Sequence, residues 1–281
     1  AAQPDRPVGY RPSPLGRPPR PSRRGHPAMT RPGPAIFALV ALLATPLLAQ
    51  NEAYPFGVGE RFQYSAKLGF LRLGTGTIQV AGVDTVRSVP SFIFRFSLVG
   101  GNILYRINSV LESRTGIADF RSRRFTQDNN ENGRIFQRHY DIYPDSGFYR
   151  LEGSPDPQPT VDRPLDDAAF LYFVRSFPLE VGRTYELDYY FRKEKNPLRI
   201  TVEKREQMEL PDGTKVACLV VRPVMGDRGM FAERSDARIW LTDDARRIPV
   251  QIRTRYPFGT VILRLEEMAL VSPTPRPVGA R

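Results

Sequence analysis

A single cysteine, Cys218, in 281 residues means that no disulfide can form within the chain, although an exported protein would be free to use one. Tryptophan also occurs once, at Trp240, and histidine twice, at His26 and His139. With His139 alone in the body of the chain, a His-rich zinc site is excluded. Long apolar runs are scarce as well. The longest, residues 35–49, is interrupted by Pro46 and is shorter than the about 20 apolar residues that cross a bilayer as a helix. No membrane span is expected in the mature chain.

The flanks of that run give it a different reading. Met29 and Arg31 precede it, and Leu47, Leu48 and Ala49 lead into polar Gln50 and Asn51. A charged start, an apolar middle and a small residue at the exit make a secretory signal peptide. Residues 29–49 are expected to be that peptide, cleaved after Ala49, with the bond after Ala53 as second choice. Residues 1–28 are mostly Pro, Arg, Gly and Ser, a composition that predicts disorder. A translation start assigned too far upstream accounts for this leader better than an extended basic n-region. Gln50 and Asn51, not a cysteine, stand immediately after the apolar run, so a soluble exported protein is expected rather than a lipid-anchored one, and the periplasm is its expected compartment.

The formal charge is +11. Residues 1–28 carry six Arg and one Asp, hence +5, and Arg31 adds +1, which leaves 11 − 6 = +5 for the remainder. These cations are interleaved with Asp and Glu through strand-like segments, whereas a nucleic-acid binder gathers them into a stripe. Nucleic acid is therefore not an expected partner.

From Gln50 onward almost every segment alternates with period two, the mark of strands with one buried and one wet face. Phe62, Tyr64, Ala66 and Leu68 share a face, as do Phe92, Phe94, Phe96 and Leu98, then Ile103, Tyr105 and Ile107. Asn132-Gly133 is a hairpin signal, after which Phe136, Tyr140 and Ile142 continue the pattern. Tyr185, Leu187, Tyr189 and Phe191 form another stripe, followed by Ile248, Val250 and Ile252, and by Val261, Leu263 and Leu265. About a dozen strands joined by short turns predict antiparallel meanders. The Pro-rich stretch 152–164 reads as a surface loop leading into a helix.

Residues 164–177, PLDDAAFLYFVRSF, break the period. Pro164 followed by Asp166 and Asp167 suits a helix start, and Leu165, Ala168, Ala169, Tyr172 and Phe173 lie on one face. Phe170, Val174 and Phe177 make the other side apolar too, so the helix is expected to be buried by the sheet. A barrel of about eight strands is filled by its own side chains. More strands around one helix predict an all-β, mainly antiparallel fold, a curved or incompletely closed barrel wrapped around the helix. Residues 50–270 are expected to form one β-rich domain and 271–281 a flexible tail. Volume left by the helix would be a hydrophobic cavity, with Phe92, Phe94, Phe96, Tyr105, Tyr172, Tyr189 and Phe191 as its candidate lining.

Three blocks, PFGVGERFQYSAKLGFLRLGTGTIQV at 55–80, the helix with FPLEVGRTYELDYYF at 177–191, and 218–267 with WLTDDARRIPVQIRTRYPFGTVILRLEE, resemble the bacterial domain of unknown function family 3108. The resemblance spans essentially the whole mature chain. It implies an exported protein of a Gram-negative bacterium with no established activity. The architecture is also similar to that of half-barrel lipoprotein carriers of the periplasm, an analogy that does not establish function.

No residue is assigned a catalytic, cofactor-binding or metal-binding role, and an enzyme is not expected. His139 falls on a wet face beside Asp141, where a hydrogen-bonded pair is geometrically possible and a solvated residue is the simpler reading. Cys218 in an apolar strand core reads as a small hydrophobe, since a reactive thiolate wants basic, partly exposed surroundings. Asp243 and Asp244 stand between two strands and read as a turn, and Gly74 and Gly76 as a barrel corner. The expected function is binding or carriage of a hydrophobic ligand, a lipid or acyl chain, in envelope maintenance, with an envelope protein as another partner. The alternative is a scaffold that works through exposed strand edges and has no ligand cavity.

Overall fold

The computed structural model describes residues 53–101, 106–227, 229–257 and 259–277. The expected leader and signal peptide, and Tyr105, lie outside them. After β1 (Ala53–Tyr54) the chain runs through β2 (Arg61–Leu68), β3 (Leu71–Val86), β4 (Val89–Gly101), β5 (Arg106–Gly116), β6 (Ser122–Glu131), β7 (Arg134–Tyr143), β8 (Phe148–Leu151) and β9 (Gln158–Pro159). The helix α1 (Asp167–Ser176) follows. Then come β10 (Thr184–Leu187), β11 (Leu198–Glu209), β12 (Lys215–Val224), β13 (Arg238–Thr242), β14 (Pro249–Tyr256), β15 (Gly259–Ala269) and β16 (Thr274–Pro275).

Fourteen strands share one sheet in the order β10-β11-β12-β13-β14-β15-β2-β3-β4-β5-β6-β7-β8-β9. It consists of two antiparallel meanders joined where β15 pairs with β2. Among the described residues no ladder joins its edges. Instead, the segment leading into α1 ties them together: Leu165 N–H donates to the Tyr189 carbonyl at 2.6 Å and its carbonyl accepts from Phe191 N–H at 3.0 Å. Thr160 Oγ1 donates to the Phe191 carbonyl at 2.5 Å. The curved, incompletely closed sheet expected from strand count and helix is the one observed.

Alternation put the right residues inside. Phe62, Tyr64 and Ala66 of β2 and Phe92, Phe94 and Phe96 of β4 are buried, because a pleated strand turns successive side chains to opposite faces. Asn132 and Gly133 both adopt positive φ, 52° and 81°, as a two-residue type I′ hairpin requires. Phe136, expected inside, is exposed, since the β6–β7 hairpin runs beyond the core. The strand expected over 185–191 stops at Leu187, because Tyr190 and Phe191 are both buried and the backbone turns aside to Leu165.

Gly74 and Gly100 face each other across β3 and β4, and a Cβ on Gly100 would lie 2.1 Å from the Leu73 carbonyl oxygen. Beside them the β2–β3 register shifts between Ala66 and Lys67. Bulge and glycines together give the sheet its corner.

The helix begins later than the sequence suggests. Asp166, not Pro164, marks the boundary: it is extended, and its carboxylate accepts from the backbone N–H groups of Ala168 and Ala169, both at 2.9 Å. This satisfies two of the four orphan donors at the helix start. Pro178 follows the helix and biases Phe177 to its extended conformation. Ala168, Ala169, Phe170, Leu171, Tyr172, Val174 and Arg175 are buried, so sheet and loops cover α1 on nearly all sides.

Asp166 also accepts from Ser113 Oγ at 2.5 Å. Burial raises its carboxyl from 3.8 to about 6, against the lowering effect of the Ala169 and Ser113 hydrogen bonds. Between those two values the folded chain holds a proton that the unfolded chain has lost. This group therefore makes folding less favourable as pH rises through the window, and contributes a constant term above it. Asparagine keeps the cap but does not titrate. Urea unfolding across this range should find wild type losing stability relative to Asp166→Asn up to about pH 6 and a level difference beyond. A difference independent of pH would contradict the buried, titrating cap.

Residues 271–277, part of the expected flexible tail, are held against the sheet. β16 pairs with β1, Thr274 N–H donates to the Phe56 carbonyl at 2.8 Å, and Arg246 Nη1 donates to the Val271 carbonyl at 2.7 Å. A two-residue strand pairing, a backbone hydrogen bond and an arginine anchor this end.

Candidate functional site

A cleft of about 200 Å³ opens beside the C-terminal end of α1. Tyr54 of β1, Phe120 of the β5–β6 turn, Phe173 and Phe177 of the helix end, and Tyr189 beyond β10 form its walls. Arg163, Arg276 and Asp119 bring charge to it. The rings are mutually placed: Phe173 lies 5.2 Å from Phe177, 5.8 Å from Tyr189 and 6.3 Å from Phe120, centroid to centroid. Phe120 holds φ at 53°, a left-handed conformation that costs a bulky residue about 1–2 kcal/mol. That turn is stabilised by the rings of Tyr54, Phe56 and Phe94 around Phe120, at 5.5, 6.3 and 5.8 Å.

The two guanidiniums stand over aromatic faces, Arg163 5.1 Å from the Tyr189 ring and Arg276 4.7 Å from the Tyr54 ring. Arg163 Nη1 also donates to Tyr189 Oη at 3.2 Å. Asp119 is directed away from them electrostatically: Arg121 and Arg123 each donate to it at 2.7 Å. Burial would raise its carboxyl, but these bonds outweigh it and hold the group below the usual carboxylate range. Tyr54 stays a neutral phenol, pushed up by burial and donating to the Ile117 carbonyl at 2.7 Å. The outcome is an aromatic cleft with a cationic rim.

Of the residues expected to line a cavity, Tyr189 lines this cleft. Phe92, Phe94 and Tyr172 instead pack ring on ring with Phe56; Tyr172 is stacked on Phe94 at 4.0 Å and Phe56 meets Tyr172 at 4.9 Å. Phe96 is buried. Phe191 sits among Phe125, Tyr140 and Tyr149 at 6.1, 5.0 and 5.1 Å. Tyr105 lies outside the described residues.

The core also holds an ion pair that sequence reasoning missed. Arg175 Nη1 and Nη2 donate to Glu60 Oε1 and Oε2 at 2.6 and 3.0 Å, and the two side chains are 1% and 0% exposed. One arginine in an otherwise apolar helix was the available signal, since a fully buried arginine requires a partner.

A wider space of about 630 Å³ lies on the outer face of β5 to β8, around Glu112, Arg114, Arg124, His139, Asp141 and Arg150. Its charges largely neutralise one another. Glu112 pairs with Arg95 and Arg114, and Asp141 with Arg124 at 3.0 Å. His139 therefore does not use Asp141. Its Nε2 meets Asp128 at 2.9 Å and its Nδ1 meets Glu152 at 2.6 Å; the Asp128 bond first, then Glu152, holds its pKa above 6.5.

Asp244 Oδ1 accepts from Thr242 Oγ1, Arg246 N–H and Arg247 N–H at 2.7, 2.9 and 2.9 Å, which makes it the β13–β14 turn. Asp243 pairs with Arg205 and Arg247 at 2.6 and 2.8 Å. Cys218 is buried, and burial pushes its thiol up to about 11. Among the described residues no group of three or more His, Cys, Asp and Glu is arranged to hold a metal ion, and no helix is long and apolar enough to cross a membrane.

No curated protein matches the chain. Among solved structures it is similar to a beta-barrel-like protein of domain family DUF1849 from Brucella abortus, at 11% identity and a TM-score of 0.49, covering 77% of this chain and 99% of that one. It is also similar to a hypothetical protein from Chlamydia trachomatis, at 11% identity and a TM-score of 0.32, covering 77% and 91%. The family model for proteins of unknown function DUF3108 matches residues 63–266, from β2 through β15, and the chain belongs to that family.

Proposed function

We propose that this protein is a non-enzymatic binding module of the cell envelope, whose cleft takes the compact apolar end of an amphiphile and holds its anionic head at Arg163 and Arg276. The observation that carries this is the pairing of five aromatic walls with two guanidiniums in one opening. Carboxylate or phosphate on arginine forms charge-assisted, often bidentate hydrogen bonds, and aromatic walls supply apolar contact without losing much side-chain entropy. Pockets for drug-sized ligands have volumes of about 300–1,000 Å³. A cleft of about 200 Å³ suits one ring or a short alkyl segment, a little more than the benzene that fits a 150 Å³ engineered cavity. Export to the periplasm is supported by the charged start, apolar middle and small exit residue of 29–49.

The test is calorimetric titration with a short-chain fatty acid and with the alcohol of equal length. The acid should bind and the alcohol should bind more weakly. Arg163→Ala should weaken the acid about tenfold, the cost of one charge-assisted hydrogen bond, and leave the alcohol unchanged. Equal affinity for acid and alcohol, or no binding of either, would sink the proposal.

A scaffold acting through strand edges finds less support. The edge strands are short, four residues in β10 and two in β9, and the chain on either side is tied through Leu165. They offer little template for another strand.

A further inference from the structure

Arg276 reaches its place over the Tyr54 ring because residues 271–277, VSPTPRP, lie as a strap beside β1. Prolines at 273, 275 and 277 leave backbone N–H only at Thr274 and Arg276 within 273–277, so a full ladder cannot zip this strap in place. Shape seats it instead. A Cβ on Gly57 would lie 2.3 Å from the Ser272 carbonyl oxygen and 3.0 Å from Val271 Cγ2, and close-packed interiors do not tolerate such overlap. Gly57 holds no left-handed φ, so its backbone does not demand glycine. The close approach of the strap does.

Two hydrogen bonds complete the seat. Arg246 Nη1 draws in the Val271 carbonyl at 2.7 Å, and Thr274 N–H donates to the Phe56 carbonyl at 2.8 Å. Neither Gly57 nor Arg246 lines the cleft. The aromatic walls are fixed by other means: Phe120, Phe173, Phe177 and Tyr189 come from other elements, and Tyr54 is held by the Ile117 carbonyl at 2.7 Å and by Phe56, 5.2 Å away and stacked. Unseating the strap would therefore withdraw a cation and leave the apolar surface standing.

We infer that the strap sets the charge preference of the cleft, with Gly57 and Arg246 as positioning residues that act through it on the anionic head at Arg276. This rests on the proposed reading of the cleft as a site for an anionic amphiphile. The experiment pairs calorimetric titration of the full chain, with hexanoate and hexanol as probes, with hydrogen exchange of the Thr274 amide. Arg276→Ala should weaken hexanoate about tenfold, the cost of one charge-assisted hydrogen bond, and leave hexanol unchanged. Gly57→Ala, a methyl group outside the cleft, should weaken hexanoate by a similar factor, spare hexanol and remove the protection of Thr274. Adding Arg276→Ala to Gly57→Ala should cost little more, because both act through one contact, whereas independent sites add. Arg246→Ala loosens the same strap without crowding it, should move both readouts in the same direction, and serves if Gly57→Ala does not fold. Wild type that binds no hexanoate overturns the reading of the cleft and the inference with it. Hexanoate bound equally by wild type and by a variant whose Thr274 has lost protection overturns the inference alone. So does Thr274 protection unchanged in both variants, full additivity in the double variant, or hexanol weakened as much as hexanoate.

Discussion

Replacing Glu60 with alanine should lower the free energy of unfolding by about 3–5 kcal/mol, the usual cost of leaving one partner of a buried ion pair uncompensated. Arg175 would retain only the carbonyls of Pro55 and Arg246, at 3.3 and 3.2 Å, within a cage of the Phe56, Phe62 and Tyr172 rings 5.2–5.5 Å from its guanidinium. Two carbonyls and three ring faces do not replace a full negative charge where water is excluded. The same logic gives an opposite expectation for the double variant. Glu60→Leu with Arg175→Met removes both charges at similar volume and should be close to neutral or stabilising. Urea unfolding of the three proteins measures this directly. A loss below about 1 kcal/mol for Glu60→Ala would mean that the pair is solvated like a surface one.

Phe94→Ala should cost a similar amount, about 3–5 kcal/mol, because a large-to-small change in a packed core loses transfer energy and leaves a cavity. Phe94 is fully buried and touches Tyr172 at 4.0 Å, Phe92 at 5.3 Å, Phe56 at 5.5 Å and Phe120 at 5.8 Å. Four ring partners on several sides leave little room for collapse. For a domain of ordinary stability, about 5–15 kcal/mol, such a loss is large. It also has a second readout: benzene should raise the melting temperature of the variant by more than that of wild type, since only the variant has a dry apolar hole in addition to the cleft. Benzene stabilising both proteins alike would mean that the native interior already contains such a space.

The sequence reveals faces better than it reveals fillings. Period two told which side of β2 and β4 is buried, because the pleat enforces it. The apolar helix inside a curved sheet followed from strand number and the lack of a polar helix face, and the Asn132-Gly133 hairpin followed from φ requirements that few other residues meet. Whether Phe94 faces empty space or another ring is a different question. It depends on Phe56 and Tyr172, which meet it from distant parts of the chain and carry no local signal of their positions. The Glu60–Arg175 bond joins residues 115 apart, so the isolated arginine announced a partner without naming it. Tyr189 belongs to a stripe that the sequence marks as apolar, whereas Arg163 and Arg276 reach the cleft from loops, where no periodicity aims a side chain.

The central claim is that, among the described residues, aromatic side chains and α1 fill the curved sheet, so that an apolar ligand finds room in the cleft at the helix end rather than inside the sheet. A series of saturated fatty acids of increasing length, titrated against the protein by calorimetry, tests it most directly. Affinity should rise by about 0.8 kcal/mol for each methylene buried and then level off once the cleft of about 200 Å³ is full. Affinity that keeps climbing through long acyl chains would contradict the claim, because it would require an interior space that packed rings do not leave.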